Sequence, residues 1–416
     1  MRWLVHIMMI VAFAACGSTP DLVFSDPESL AAAYDLYGAH HAGDVVLQRT
    51  IKVTVDSAVK PSDAESRFEV QVALARYTPS QAPLTVEVVT PKGAALGTVR
   101  ARLQGQPIDA MTAGPASDVV VVDPGQVGWR FTFAAPSAAP APREQLVLEL
   151  IVGFTIDGTL ASDAQWVAGP GLDTVLLRYD LPGDTQGTFQ VTGADLKPLV
   201  TTQGGRTVIA LLVRSAYQYK GPVIARYATL SASPKGYEQR YADSWAGATR
   251  DLDQRLVKAS DALDEGYAAP FSPTTSGDAR VAEIYTWVRD RRQRPDALAS
   301  AWDAARGLKA PVETNDLTAT DKVHLLHWLL REAHVPHRFA MARPVAYTPL
   351  PPGSIPVPGA FTTPLVFAGG VWLDPACTTC APGEVRPELS GAQALLLPVA
   401  SAPELLFLPS EREPTP

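Results

Sequence analysis

Charged side chains are sparse in this 416-residue chain. Asp, Glu, Lys and Arg make up 19%, below the about 25% of an average chain, while 46% hydrophobic residues exclude wholesale disorder. Positive charge is the scarcer kind: 35 Lys and Arg stand against 43 acidic residues, and no basic block offsets the net charge of -8. Nucleic acid is therefore a poor candidate partner. Beyond the first 16 positions no apolar run approaches the roughly 20 residues that a bilayer-crossing helix needs. What the chain has in quantity is proline and glycine, 37 and 30. They follow no collagen-like period, and so many turn-formers argue against a long coiled coil or helical bundle and for much β structure. At roughly 150 residues per domain, the length gives a prior of two to three domains.

The N-terminus reads as an address. Arg2 precedes an apolar run from Trp3 to Phe13, Ala14-Ala15-Cys16 follows, and the chain turns polar at Gly17-Ser18-Thr19-Pro20. Small residues before Cys16 leave room for a signal peptidase. The segment resembles a bacterial lipoprotein signal, whose cysteine becomes the acylated first residue of the mature protein. That resemblance implies removal of residues 1–15, lipidation at Cys16 and a lipid-anchored place in the bacterial cell envelope. Gly17 would favour the outer membrane under the sorting rules of the best-known bacteria. An uncleaved anchor or an ordinary secretory signal also puts the bulk of the chain outside the cytoplasm. The acidic mature part gains nothing from anionic lipid, so attachment would rest on acyl chains, at about 0.8 kcal/mol per buried methylene.

Asp26-Pro27-Glu28 is a helix start and Gly38 a stop, which predicts one short helix within a tether over residues 16–42. From 43 to 232 the period becomes two: Leu47, Ile51, Val53 and Val55, then Phe68, Val70, Val72 and Leu74, then Trp129, Phe131 and Phe133. Strands without long helices between them predict an antiparallel β-sandwich. Helical period returns at Trp245–Leu263, within a helical connection over 233–278. In the following stretch Val281, Ile284, Tyr285 and Val288 fall at i, i+3, i+4 and i+7. Helices at 297–305 and 320–333, a proline-rich loop from Pro344 to Pro358 and short buried strands at 365–367 and 371–373 make residues 279–400 an α+β domain. The tail, 401–416, has little apolar content to pack.

Chemistry concentrates at Thr318-Ala319-Thr320-Asp321-Lys322 ahead of an apolar helix. Thr318 and Asp321 have capping-box spacing. Ala319 therefore sits in a first turn whose unpaired amides would lower a thiol's pKa, the seat of a catalytic cysteine. The order of sandwich, helices, capped helix, Phe361-Thr362-Thr363-Pro364 and Trp372-Leu373-Asp374-Pro375 resembles bacterial transglutaminase-like proteins. Those have a papain-like core, commonly preceded by a sandwich domain of unknown function. The resemblance spans roughly residues 43–398. It places Ala319 at the nucleophile's position, Thr363 at that of the general-base histidine and Asp374 at that of the acid orienting it. A degenerate triad follows: loss of the nucleophile alone costs roughly a millionfold in kcat, about 8 kcal/mol. Thr318 or Thr320 would need an adjacent base to act in its stead. Without its histidine partner, Asp374 reads as a turn residue accepting backbone amides.

Cys377-Thr378-Thr379-Cys380 is a lone Cys-x-x-Cys. With Cys16 lipidated the pair is even in number and faces an oxidising compartment, which favours a local disulfide; a thiol oxidoreductase, a metal site or two free thiols are the alternatives. His324, His327, His334 and His337 cluster within fourteen residues. His324 and His327 at i, i+3 have spacing that can serve zinc. Val323, Leu326, Leu329, Leu330 and Ala333 form the expected buried stripe, with His327 at its edge beside the opposing charge of Arg331, so satisfied or solvated histidines are favoured over a metal. No cofactor is expected. The sequence thus points to a catalytically inactive transglutaminase-like envelope lipoprotein that binds or scaffolds a peptide or protein partner. The alternative is an envelope hydrolase or transferase with a non-standard or metal-dependent site.

Overall fold

The computed structural model describes residues 44–55, 65–76, 82–109, 111–134, 146–157, 162–169, 171–183, 186–230, 276–294, 309–351, 354–355, 360–397 and 404–410, with residues 22, 245, 246 and 249. The signal segment, Cys16, the helix expected near 26–38, most of the 233–278 connection, the 297–305 helix and the last six residues lie outside them. The chain divides into two units, Met1–Val122 with Gln126–Gln239, and Asp123–Gly125 with Arg240–Pro416. Among the described residues no helix is long and apolar enough to cross a membrane. The whole is a β-rich α+β chain with several sheets.

The first unit contains strands β1 (Asp44–Val55), β2 (Glu65–Arg76), β3 (Leu84–Pro91), β4 (Ala95–Leu103), β5 (Gln106–Pro107), β6 (Met111–Pro115), β7 (Gln126–Phe133), β8 (Leu146–Asp157), β9 (Ser162–Ala168), β10 (Leu172–Pro182), β11 (Gln186–Thr192), β12 (Leu199–Gln203), β13 (Arg206–Val213) and β14 (Val223–Leu230). Eight form one sheet in the order β12-β13-β10-β1-β2-β8-β4-β5, and two smaller sheets run β3-β7-β6 and β11-β14-β9. Alternation explains the core. Ile51, Val53, Phe68, Val70, Phe154 and Leu177 of the large sheet meet Val86 and Phe131 of one small sheet and Ala225 and Tyr227 of the other. Each large apolar side chain so buried contributes about 1.5–3 kcal/mol.

Two details depart from the sequence expectation. Among the described strands of this unit the pairing is antiparallel except between β1 and β10, which run parallel from Val46↔Leu172 to Thr54↔Asp180. Tight turns in the sequence report hairpins between consecutive strands and carry no information on how distant strands join. Second, the β1–β2 register slips between Val46 and Gln48. Leu47 is the extra residue of this bulge. It joins Val45, Ala73 and Ala75 in a separate cluster, instead of sharing a face with Ile51 as strict alternation implied.

The second unit holds helices α1 (Gly277–Arg289), α2 (Lys309–Thr314) and α3 (Ala319–Glu332), then strands β15 (His337–Arg343), β16 (Thr363–Ala368), β17 (Val371–Leu373), β18 (Gln393–Leu396) and β19 (Glu404–Phe407). The strands form one antiparallel sheet ordered β17-β16-β15-β18-β19. On α1, Val281, Ile284, Tyr285 and Val288 are buried, the periodicity's own set. Helix α3 packs against α1, β15 and β16, and every residue from Thr320 to Leu330 is buried. The expected one-sided stripe with solvated or edge histidines is therefore corrected: a helix enclosed on several sides has no wet face, and its polar residues must find partners indoors.

Candidate functional site

Thr318 caps α3 from extended backbone, accepting the Asp321 amide at 3.1 Å, while its own amide donates to Asp321 Oδ2 at 2.9 Å. Both halves of the capping box are present. Ala319 follows as the first helical residue and is half-buried. The seat has the polarity that would suit a thiolate, and its side chain is a methyl group.

The sheet decides what faces α3. His324 and His327 of that helix pack their rings against Phe339 of β15, the latter stacked at 4.4 Å. The residues of β15 and β16 sharing Phe339's face by alternation are His337, Met341 and Arg343 on β15 and Pro364, Val366 and Ala368 on β16. Thr363 pairs with Ala342 and shares its parity with Leu365; Ala342, Ala340 and Leu365 belong to the core on the opposite face, together with Trp372 and Leu389. Thr363 is thus set on the face away from α3, where no imidazole replaces it; on the near face β16 carries only Pro364, Val366 and Ala368, and the titratable His337 and Arg343 there belong to β15.

Asp374 directly follows β17 and is fully buried. Its carboxylate accepts Arg386 Nε at 2.8 Å, Arg386 Nη2 at 2.6 Å and the Arg386 amide at 3.2 Å. A bidentate guanidinium pair is among the strongest side-chain pairings available. The expected turn role is met only in part: a backbone amide is accepted, and an arginine is the chief partner. Sequence reasoning missed Arg386, which lies in a loop twelve residues on and belongs to no motif.

Around this pair the polar groups knit α1 to the segment after β17. Tyr285 Oη donates to the carbonyls of Asp374 at 3.0 Å and Cys380 at 3.3 Å, and Arg289 Nη1 donates to the Cys380 carbonyl at 3.0 Å. Cys377 and Cys380 are joined as a disulfide with their Cα atoms 5.5 Å apart. Lys322 is fully buried, donates from Nζ to the Arg289 carbonyl at 2.7 Å, and has its pKa pushed down to about 8. Burial disfavours the ammonium, with Arg289 and Arg386 adding to the effect against Asp290 and Asp374. Such an amine has nucleophilic character, but a fully buried one cannot meet a substrate.

The histidines pair differently from the i, i+3 expectation. His327 Nδ1 lies 2.7 Å from His337 Nε2, and His337 Nδ1 lies 2.7 Å from the Val335 carbonyl. A carbonyl only accepts, so His337 carries its proton on Nδ1 and accepts at Nε2. His327 must then donate from Nδ1, which leaves its buried Nε2 an unprotonated acceptor. That atom and His324 Nε2 have no partner among the described residues. Burial pushes the pKa of His324 down to about 4 and that of His327 to about 3, the latter aided by the His337 and Arg331 charges. Among the described residues no three His, Cys, Asp or Glu side chains come together as a metal site.

No protein-family profile matches this sequence, and no curated protein does. Among solved structures, a candidate protease from Parabacteroides distasonis superposes with a TM-score of 0.54 at 12% identity, over 87% of this chain and 71% of that one. That likeness concerns the fold alone. An M1 zinc metallopeptidase from Deinococcus radiodurans (TM-score 0.23, 12% identity, 70% and 64% coverage) and a candidate nutrient-binding protein from Legionella pneumophila (0.28, 9%, 70% and 94%) are too distant in shape to support a fold assignment.

Proposed function

We propose that this chain is a bacterial envelope lipoprotein whose second unit is a transglutaminase-like, papain-like module that binds an envelope peptide or protein without catalysing. The observation that carries the reading is the fate of three positions. The nucleophile's seat holds Ala319, the α3-facing side of β16 offers Pro364 and Val366, and the acid Asp374 is spent on Arg386. Acyl transfer needs a nucleophile, a base and an orienting acid acting together, and none is free to act here. What such a module keeps is the start of α3, where the half-buried Ala319 lies between the buried Thr318 and Thr320, at the positive end of a helix that suits a carbonyl or carboxylate.

Two measurements test this. Purified full-length protein offered glutamine-containing peptides with a primary amine is expected to give neither transamidation nor peptide hydrolysis above the uncatalysed rate. A photo-crosslinking residue at Ala319 is expected to yield a discrete adduct in the envelope of an expressing bacterium. Turnover, or the lack of any adduct, would overturn the proposal. The anchor has its own test: labelled palmitate should enter the wild-type chain and not a Cys16→Ser variant, and equal labelling of both would refute the lipoprotein reading.

A further inference from the structure

The first unit contains a cleft of about 670 Å³ whose lining includes Arg49, Glu87, Val89, Trp166, Leu172 and Lys220. Its volume falls in the range of small-molecule sites, roughly 300–1,000 Å³. It draws on strands from three sheets: β1 and β10, β3, and β9. The unusual member is Arg49. Past the Leu47 bulge, Arg49 pairs with Val72 of β2 and Val175 of β10, both core residues, and shares the parity of Ile51 and Val53. Arg49 therefore lies on the interior face of the large sheet in unbroken alternation with Ile51 and Val53, directly after the Leu47 bulge. Bulges of this kind re-aim side chains at binding sites.

Nothing among the described residues neutralises that guanidinium by contact. Arg49 is half-buried; among the described residues it makes no ion pair, and its Nε is sealed from solvent without a hydrogen-bond partner. The carboxylate whose charge it feels, Asp163, is already engaged by Tyr179 Oη, the Gln165 and Gln126 side chains and the Ala164 amide. Burial lowers the pKa of Arg49 to about 10, opposed only by Asp163. Glu87 is held by Arg130, which also bridges to Asp118. Lys220 stands exposed at the rim. Withdrawing part of an unpaired guanidinium from water costs free energy, and a bidentate carboxylate is the group that best relieves it.

We propose that this cleft binds a small amphiphilic monocarboxylate, whose head pairs with Arg49, with Lys220 assisting at the rim, and whose apolar body lies against Val89, Trp166 and Leu172. The site is independent of the proposed role of the second unit. Decanoate and 4-phenylbutyrate serve as probes of an alkyl and an aryl body, with decylammonium and 4-phenylbutylammonium as cationic counterparts, in calorimetric titrations of the full chain. At least one acid is expected to bind saturably and neither ammonium to do so. Arg49→Met should lower acid affinity at least about 30-fold, the share of a charge-assisted pair worth roughly 2 kcal/mol, while leaving the unliganded melting temperature unchanged or higher. If that variant does not fold, Lys220→Glu at the rim must weaken acid binding instead. Absence of saturable binding by both acids, equal binding of the ammonium probes, or undiminished affinity in the variant tested would overturn the assignment.

Discussion

Replacing Arg386 with alanine is expected to destabilise the second unit by about 3–5 kcal/mol, the cost of leaving a buried ion without its partner. Asp374 has no exposure to solvent, and every hydrogen bond described for its carboxylate comes from Arg386. The alanine variant keeps one amide donor and strips both guanidinium bonds from a carboxylate that water does not reach. The Arg386 side chain keeps 20% of its exposure, so Asp374→Ala should cost less: the stranded cation can turn outward. A double replacement of both residues by apolar side chains should recover part of the loss, because no ion is then left buried. Denaturant unfolding of the four proteins checks the cycle. If Arg386→Ala unfolds within about 1 kcal/mol of wild type, in the range of a surface pair, then the carboxylate is not committed to structure as described, and the proposal of a spent acid loses its support.

Acid should unfold the same unit well before its carboxylates alone would require. His324 and His327 are buried neutral, with pKa values near 4 and 3 against about 6.5 in an unfolded chain. Between those limits the unfolded state binds more protons. The stability from keeping the two rings neutral is therefore fully present above about pH 6.5 and is lost as pH falls through the folded values. Each histidine contributes a slope of up to about 1.4 kcal/mol per pH unit within its window. The pairing gives the reason in atoms. His327 Nδ1 donates to His337 Nε2, so a proton added to His337 sets two donors face to face, and one added to His327 Nε2 finds no acceptor. Urea midpoints measured from pH 7 to pH 4 should fall steeply, and His324→Leu should flatten the curve by the share of one group. An unchanged slope in that variant would refute the assignment.

The parts of the fold that were legible in the sequence are those written by neighbours. The Thr318–Asp321 box locates the start of α3 because capping is a contact between residues three apart. The spacing of Val281, Ile284, Tyr285 and Val288 gives the buried face of α1 because one helix surface is set by local geometry. What escaped notice depends on residues far apart. Arg386 occupies Asp374 from a loop, and no periodicity marks it. Leu47 reads as one more member of an alternating strand, since a bulge changes which way the following residues point without changing the pattern of letters. The all-round burial of α3 was hidden because Lys322, His324 and His327 look like a wet face until the elements packed around them are known.

The parallel pairing of β1 with β10 has a consequence for how the first unit comes into being. Val46 meets Leu172 only after the intervening chain has found its own place, so this seam closes late: joining ends so distant in sequence forfeits loop entropy before any ladder bond repays it. A sheet that closes last along this seam would first form two antiparallel parts, β12-β13-β10 and β1-β2-β8-β4-β5, each with an unsatisfied margin of amides and carbonyls. Such margins invite strands from other molecules. Refolding of this chain should therefore be slow and sensitive to protein concentration, with the yield set by whether each half meets its own counterpart or a stranger's.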